Sequence, residues 1–143
     1  MSRVAALLMS LFFVACGRGG YVDMQPVSPY SWSKPVSIIV ENDNTERVVD
    51  IAVALRYNDN LESDTLSVTL QTSLPDARQV REELLLHLNR EYSAAAVTAS
   101  ETVPYRTNCT LNQSGYYIFT ITPSRAVKGV EAVGIELVEN GKR

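Results

Sequence analysis

The chain has 143 residues, 45% of them hydrophobic, and a formal net charge of −3 from 13 basic and 16 acidic residues. That length is one domain with enough apolar content for a real core. The basic residues form no stripe, which argues against nucleic-acid binding, and one histidine with two cysteines excludes a four-ligand structural zinc site.

The amino terminus has the layout of an export signal. Arg3 and the terminal amine form a short positive region, and Val4 to Val14 follow, apolar apart from Ser10. A bilayer-spanning helix takes about 20 residues, so this run suits the core of a signal peptide over residues 1–15. The sequence Phe13-Val14-Ala15-Cys16 resembles a bacterial lipobox, with Phe13 in place of the usual leucine. In that reading Cys16 becomes the lipidated amino terminus, and two or more acyl chains hold it stably to a membrane. Gly17, Arg18, Gly19 and Gly20 then form a flexible tether. The run lacks acidic residues after the cysteine, which favours the periplasmic side of the outer membrane.

Residues 21–35 contain Pro26, Pro29 and Pro35 and are predicted to be an extended approach segment. Tyr21, Tyr30 and Trp32 are the aromatics expected to pin it to the body or to meet a partner. The folded body is expected over 36–143. VSIIVE (36–41) reads as a strand, and ENDNTER (41–47) as a hairpin connection. RVVDIAVALRY (47–57) and TLSVTLQT (65–72) alternate apolar with polar residues, the mark of half-buried antiparallel strands. SLPDARQ is a turn. REELLLHL (81–88) alternates as a strand, against its helix propensity. Residues 89–102 are weakly patterned and are expected to form a loop with a short helix. PYRTNCTL (104–111), starting at Pro104, YYIFTIT (116–122) and VEAVGIELVE (130–139) complete the strands, with Val133, Ile135 and Leu137 facing inward. The predicted fold is all-β: an antiparallel two-sheet sandwich, jelly-roll or immunoglobulin-like, of seven or eight strands.

Candidate chemistry is sparse. Asn42, Asp43, Asn44 and Glu46, and again Asn58, Asp59, Asn60, Glu62 and Asp64, place oxygens together, but neither stretch has the order of a calcium loop, and polar turns account for both. His87 is flanked by leucines, Cys109 is expected to be a small core residue, and no nucleophile elbow or phosphate loop occurs. No catalytic residue, metal ligand or cofactor is therefore expected, and the chain is read as a non-enzyme. Asp64-Thr65-Leu66 resembles an O-glycosylation sequon, for which an ordinary strand start is the preferred reading. Tyr21, Tyr30, Tyr57, Tyr105, Tyr116 and Tyr117, with Trp32, suggest an alternative function, a surface carbohydrate-binding or adhesive module, through ring stacking on sugars.

The carboxy-terminal RAVKGVEAVGIELVENGK resembles the end of the gliding motility lipoprotein GldH family: Val127, Gly129 and Val130, then Val133, Gly134, Ile135 and Leu137. Tyr21 close after Cys16, Trp32 before Pro35, LRYNDN (55–60), LPDARQ (74–79) and Ser114-Gly115-Tyr116 match in the same order. Residues 89–102 depart from it, lacking the family's Gly-Arg-Trp-Leu-Gly-like middle stretch. The resemblance implies an outer-membrane lipoprotein of the cell envelope, held to the membrane by its lipid. It also implies a scaffold or assembly role with envelope protein partners of the gliding or secretion machinery. It brings no catalytic residues.

Overall fold

A computed structural model describes residues 20–90 and 98–140. Eight strands account for most of them: β1 (Gly20–Pro26), β2 (Val36–Asn42), β3 (Arg47–Asn58), β4 (Thr65–Ser73), β5 (Gln79–His87), β6 (Thr98–Leu111), β7 (Gly115–Pro123) and β8 (Val130–Asn140). They form two four-stranded antiparallel sheets, β1-β8-β3-β6 and β2-β7-β4-β5. Strands 1 and 8, 2 and 7, 3 and 6, and 4 and 5 pair directly. The chain is thus one long hairpin rolled over on itself, and β3–β8 and β4–β7 pairing closes each sheet. That strand order is a jelly roll, which resolves the two predicted sandwich types.

Period-two alternation explains the core. β2 alternates buried and exposed at every residue, so Val36, Ile38 and Val40 face inward. They meet Val49, Ile51, Val53, Leu55, Leu66, Val68, Leu70, Phe119 and Ile121, together with Val133, Ile135 and Leu137, which face in as predicted. β5 is a strand, as its alternation indicated: Leu86 and Leu88 are buried, and Leu85 is exposed. Packing against β4 overrides the local helix propensity.

Four expectations are corrected. First, the sandwich begins before residue 36, because β1 pairs with β8 from Gly20↔Val138 to Pro26↔Ala132. As an edge strand that is only partly buried, β1 shows no alternation to be read. Second, residues 41–47 are not a hairpin connection: β2 and β3 lie in different sheets, so the segment crosses the sandwich. β4–β5 is the one sequential hairpin among the described strands. Its turn runs through Pro75, Asp76 and Ala77, closed by Leu74 N–H to Arg78 O at 2.8 Å, with Ala77 at φ +74°. Third, residues 98–102 of the weakly patterned segment belong to β6; residues 89–90 follow β5 without regular structure, and 91–97 lie outside the described residues. Fourth, Pro104 sits inside β6, not at its start. It is tolerated because β6 is an edge strand bonded to β3 alone, close to register shifts between Val49 and Ala52.

The rolled hairpin sorts the connections to two ends. Gly20, residues 43–46, 74–78 and 112–114, and the end of β8 lie at one end, tied by Asn42 Nδ2 to Leu111 O (2.9 Å) and Gln113 O (2.8 Å), and by Asp76 N–H to Gln113 Oε1 (3.1 Å). Residues 27–35, 59–64, 88–90 and 124–129 lie at the other. There Trp32 and Val127 exchange backbone hydrogen bonds of 2.7 and 2.9 Å, and Gly129 N–H reaches Pro29 O at 2.8 Å. The 12 residues of β3 span about 40 Å from end to end.

Candidate functional site

The predicted interaction aromatics do not come together. Trp32 is 2% exposed, in the core, with its indole N–H donating to Lys34 O at 2.8 Å, so it is a brace and not a contact residue. Tyr30, 83% exposed, stands at the Trp32 end, whereas Tyr21, 39% exposed, stands at the Gly20 end, its hydroxyl donating to Asp23 Oδ2 at 3.4 Å. Burial, then the Asp23 charge and hydrogen bond, push the Tyr21 hydroxyl above its ordinary value. Tyr57 and Tyr117 are buried, Tyr105 is half-buried, and Tyr116 is exposed at the Gly20 end. The described residues therefore offer no row of rings for a sugar; β-rich cores recruit aromatics for packing, which sequence cannot separate from surface display. Cys16, the predicted lipidation site, lies outside the described residues.

The polar stretches serve as turns. Asn44 Oδ1 accepts from Glu46 N–H at 3.0 Å, and Asn58 Oδ1 from Asn60 N–H at 2.9 Å, while Asn58 Nδ2 donates to Glu131 Oε2 at 2.9 Å. Among the described residues, no cluster of three or more His, Cys, Asp or Glu is placed to hold a metal ion. His87 closes the exposed register of β5 opposite Thr65, and Cys109 pairs with Val49 near the other end of the molecule. The two are not partners.

Among the described residues a depression lies at the Trp32 end. It is an open cleft of about 640 Å³ between the β3–β4 loop and the β7–β8 loop, over the first residues of β4. Hydroxyls from Ser63, Ser67 and Ser124 line it, with Arg125 and Lys128 as its cations and Glu62 as its acid. The local sequence explains the opening. β7 stops at Pro123, opposite Val68, so β4 runs on three residues beyond its neighbour. Ser124 N–H bonds Ser67 O at 3.0 Å, and the chain then bends away. Thr65 N–H turns to Ser63 Oγ at 3.1 Å, and the Arg90 guanidinium holds Ser63 O at 3.0 Å. Gly129, at φ +95°, lets the returning chain lie on Leu61: a Cβ there would stand 2.3 Å from Leu61 N.

Behind this cleft a second set of contacts sets the loop positions. The Tyr57 hydroxyl and the N–H groups of Asn89 (2.9 Å) and Arg90 (3.1 Å) all donate to the Glu101 carboxylate. Burial alone would raise the Glu101 carboxyl; the hydrogen bonds and the Arg90 charge outweigh it and hold it below its ordinary value.

A crevice of about 260 Å³ opens towards the Gly20 end, between the β5 and β6 edges, lined by Ile51, Leu74, Phe119 and Cys109. Glu82 latches it, accepting from the Tyr105 hydroxyl at 2.8 Å and from the Arg106 guanidinium, which also sits 4.8 Å from the Tyr105 ring centre. Burial and the Glu82 carboxylate push Tyr105 up to about 12, and burial pushes the thiol of Cys109 up, where it packs partly buried against the core.

Of the residues lining the Trp32-end cleft, Glu62, Thr65, Leu66 and Val127 were noted in the sequence for other reasons, and none was read as part of a binding site. PSRAVKG reads only as a connection, and its Arg125 and Lys128 gain meaning once β7 is seen to stop short of β4's start.

No protein-family model and no curated protein matches this chain. Among solved structures it is similar to the arabinose-bound MgGH51 α-L-arabinofuranosidase, with a TM-score of 0.41 and 8% identity over 88% of this chain. The chain spans 24% of the length of that protein.

Proposed function

We propose that the chain is a non-enzymatic lipoprotein of the cell envelope, GldH-like, anchored through Cys16 to the outer membrane on its periplasmic side. It acts as a scaffold that holds a protein partner of the gliding or secretion machinery. The observation that supports this most is the division of the sandwich into two ends. Gly20 already belongs to β1, and Cys16 precedes it by four positions. Four residues reach about 14 Å at full stretch. A lipid on Cys16 therefore keeps the Gly20 end close to the membrane. The Trp32 end, with its cleft and mutually bonded loops, points away from the lipid and is available to a partner.

The test has two parts. Intact mass of membrane fractions is expected to show an acylated Cys16, and Cys16→Ala is expected to be uncleaved or released from the membrane. A photo-crosslinking residue at Tyr30 is then expected to capture a partner in membranes, while the same residue at Asn44, on the Gly20 end, captures none. An unmodified, unanchored wild type sinks the lipoprotein reading. Capture at Asn44 but not at Tyr30 sinks the orientation.

A further inference from the structure

We infer that the Trp32-end cleft is a binding site for an extended acidic peptide segment, seated along β4 with its carboxylates on Arg125 and Lys128. The inference rests on the reading of this end as the partner-facing one, and it names the chemistry of the partner.

Three observations carry it. The first is charge. The chain is net negative, yet the cleft gathers two cations three positions apart on one loop, against the single acid Glu62. Among the described residues neither cation belongs to an ion pair, whereas Arg47, Arg78 and Arg106 are each committed to a carboxylate. Free cations beside hydroxyl donors recognise carboxylates. The second is the backbone. Thr65 and Leu66 have β5 on one side and the cleft on the other, because β7 has ended. An extended chain can lie where β7 would have continued; Thr65 N–H is held by Ser63 Oγ and Ser67 O by Ser124 N–H, so the seat is made by the cleft's side chains more than by strand pairing. The third is the lining. It has no aromatic ring, so a sugar finds no stacking platform, but Leu85, 56% exposed, gives an apolar side chain a place to rest. Hydroxyls, two cations, an uncovered strand end and scattered apolar side chains describe a peptide site better than a glycan or lipid site.

The probe is a fluorescein-labelled decapeptide of alternating glutamate and valine, measured by fluorescence anisotropy against the folded chain at low salt. A second peptide has glutamine for each glutamate. The acidic peptide is expected to bind and the glutamine peptide not. Arg125→Ala combined with Lys128→Ala is expected to weaken binding by about tenfold or more. Arg78→Ala, one cation removed at the opposite end, is expected to leave it within about twofold. Equal binding of both peptides, or equal loss with Arg78→Ala, overturns the inference. So does tighter, Arg125-dependent binding of polygalacturonate or of anionic phosphatidylglycerol vesicles, which would make the cleft a glycan or lipid site. Crosslinking from Tyr30 in the double variant separates the two levels. Undiminished capture of the same partner leaves the partner-facing end standing and removes the acidic-segment inference. Capture lost together with peptide binding supports both.

Discussion

Gly134 is the position at which one added methyl group tests the architecture most sharply. It sits in β8 opposite Met24 of β1, and a Cβ there would stand 1.9 Å from Asp23 O and 2.6 Å from Met24 Cα. Real Cβ contacts do not fall below 3.0 Å, so in Gly134→Ala the β1 backbone must move by at least about 1 Å. A backbone hydrogen bond of about 2.9 Å stretched that far is lost. Two or three ladder bonds around Met24 open, each worth about 1 kcal/mol net, so the loss is about 2–3 kcal/mol. For a domain of this size that lowers the melting temperature by roughly 10 °C. Gly20→Ala is the matched control: nothing lies within 4 Å of a Cβ there. The assay is a thermal melt by circular dichroism, with hydrogen exchange of residues 20–26 read by mass spectrometry. Gly134→Ala is expected to melt lower and to lose protection in β1 before the rest of the sheet. Gly20→Ala is expected to match the wild type. If the two variants melt together and β1 stays protected, the close β1–β8 approach, and with it the short distance from Cys16 to the sandwich, is wrong.

Trp32→Ala removes a buried indole and its bond to Lys34 O, and is expected to cost about 3–5 kcal/mol in a urea titration, loosening the Trp32–Val127 bridge as well. Ala77→Gly relieves a positive-φ turn position and is expected to stabilise by up to about 1 kcal/mol in the same titration. The folded Glu101 carboxyl lies below its ordinary value, so its contribution is present above about pH 4.3 and is lost as pH falls through the lower folded value. Glu101→Gln is therefore expected to flatten the fall in urea midpoint between about pH 5 and pH 3, and an unchanged slope argues against the Tyr57–Glu101 network. With Cys16 replaced by serine, Cys109 is the remaining thiol; its raised thiol and half-burial predict iodoacetamide alkylation about tenfold slower than in the urea-unfolded chain.

The strands with one face wet were legible because a pleated strand with one wet side must alternate. β2, β3 and β4, and the inward set Val133, Ile135 and Leu137, follow from that period, and β7 from its β-branched and aromatic residues. β5 was legible by alternation despite its leucine-rich, helix-favouring composition. Local chemistry also fixed the Pro75–Asp76 turn and the polar turns at Asn44 and Asn58. What the residues themselves determine is therefore the class: short alternating strands and polar turns, with a positive, apolar, cysteine-ended amino terminus.

Partner choice belongs to the tertiary structure. A turn-rich segment such as 41–47 reads the same whether it folds back or crosses between sheets, because the energy that decides lies in distant pairings such as β1–β8 and β3–β8. β1 has no alternation of its own, and its place comes from the missing side chain at Gly134. Pro104 starts a strand by local rules but sits within β6, since only an edge position leaves its absent N–H unpunished. Trp32 and Tyr30 are two positions apart in sequence, and only the packing made one a core brace and the other a surface ring. The cleft needed the most context of all. Arg125 and Lys128 became a site because β7 ends three residues too early to cover the start of β4, and strand ends are set by the register of a sheet, not by the residues that later line the gap.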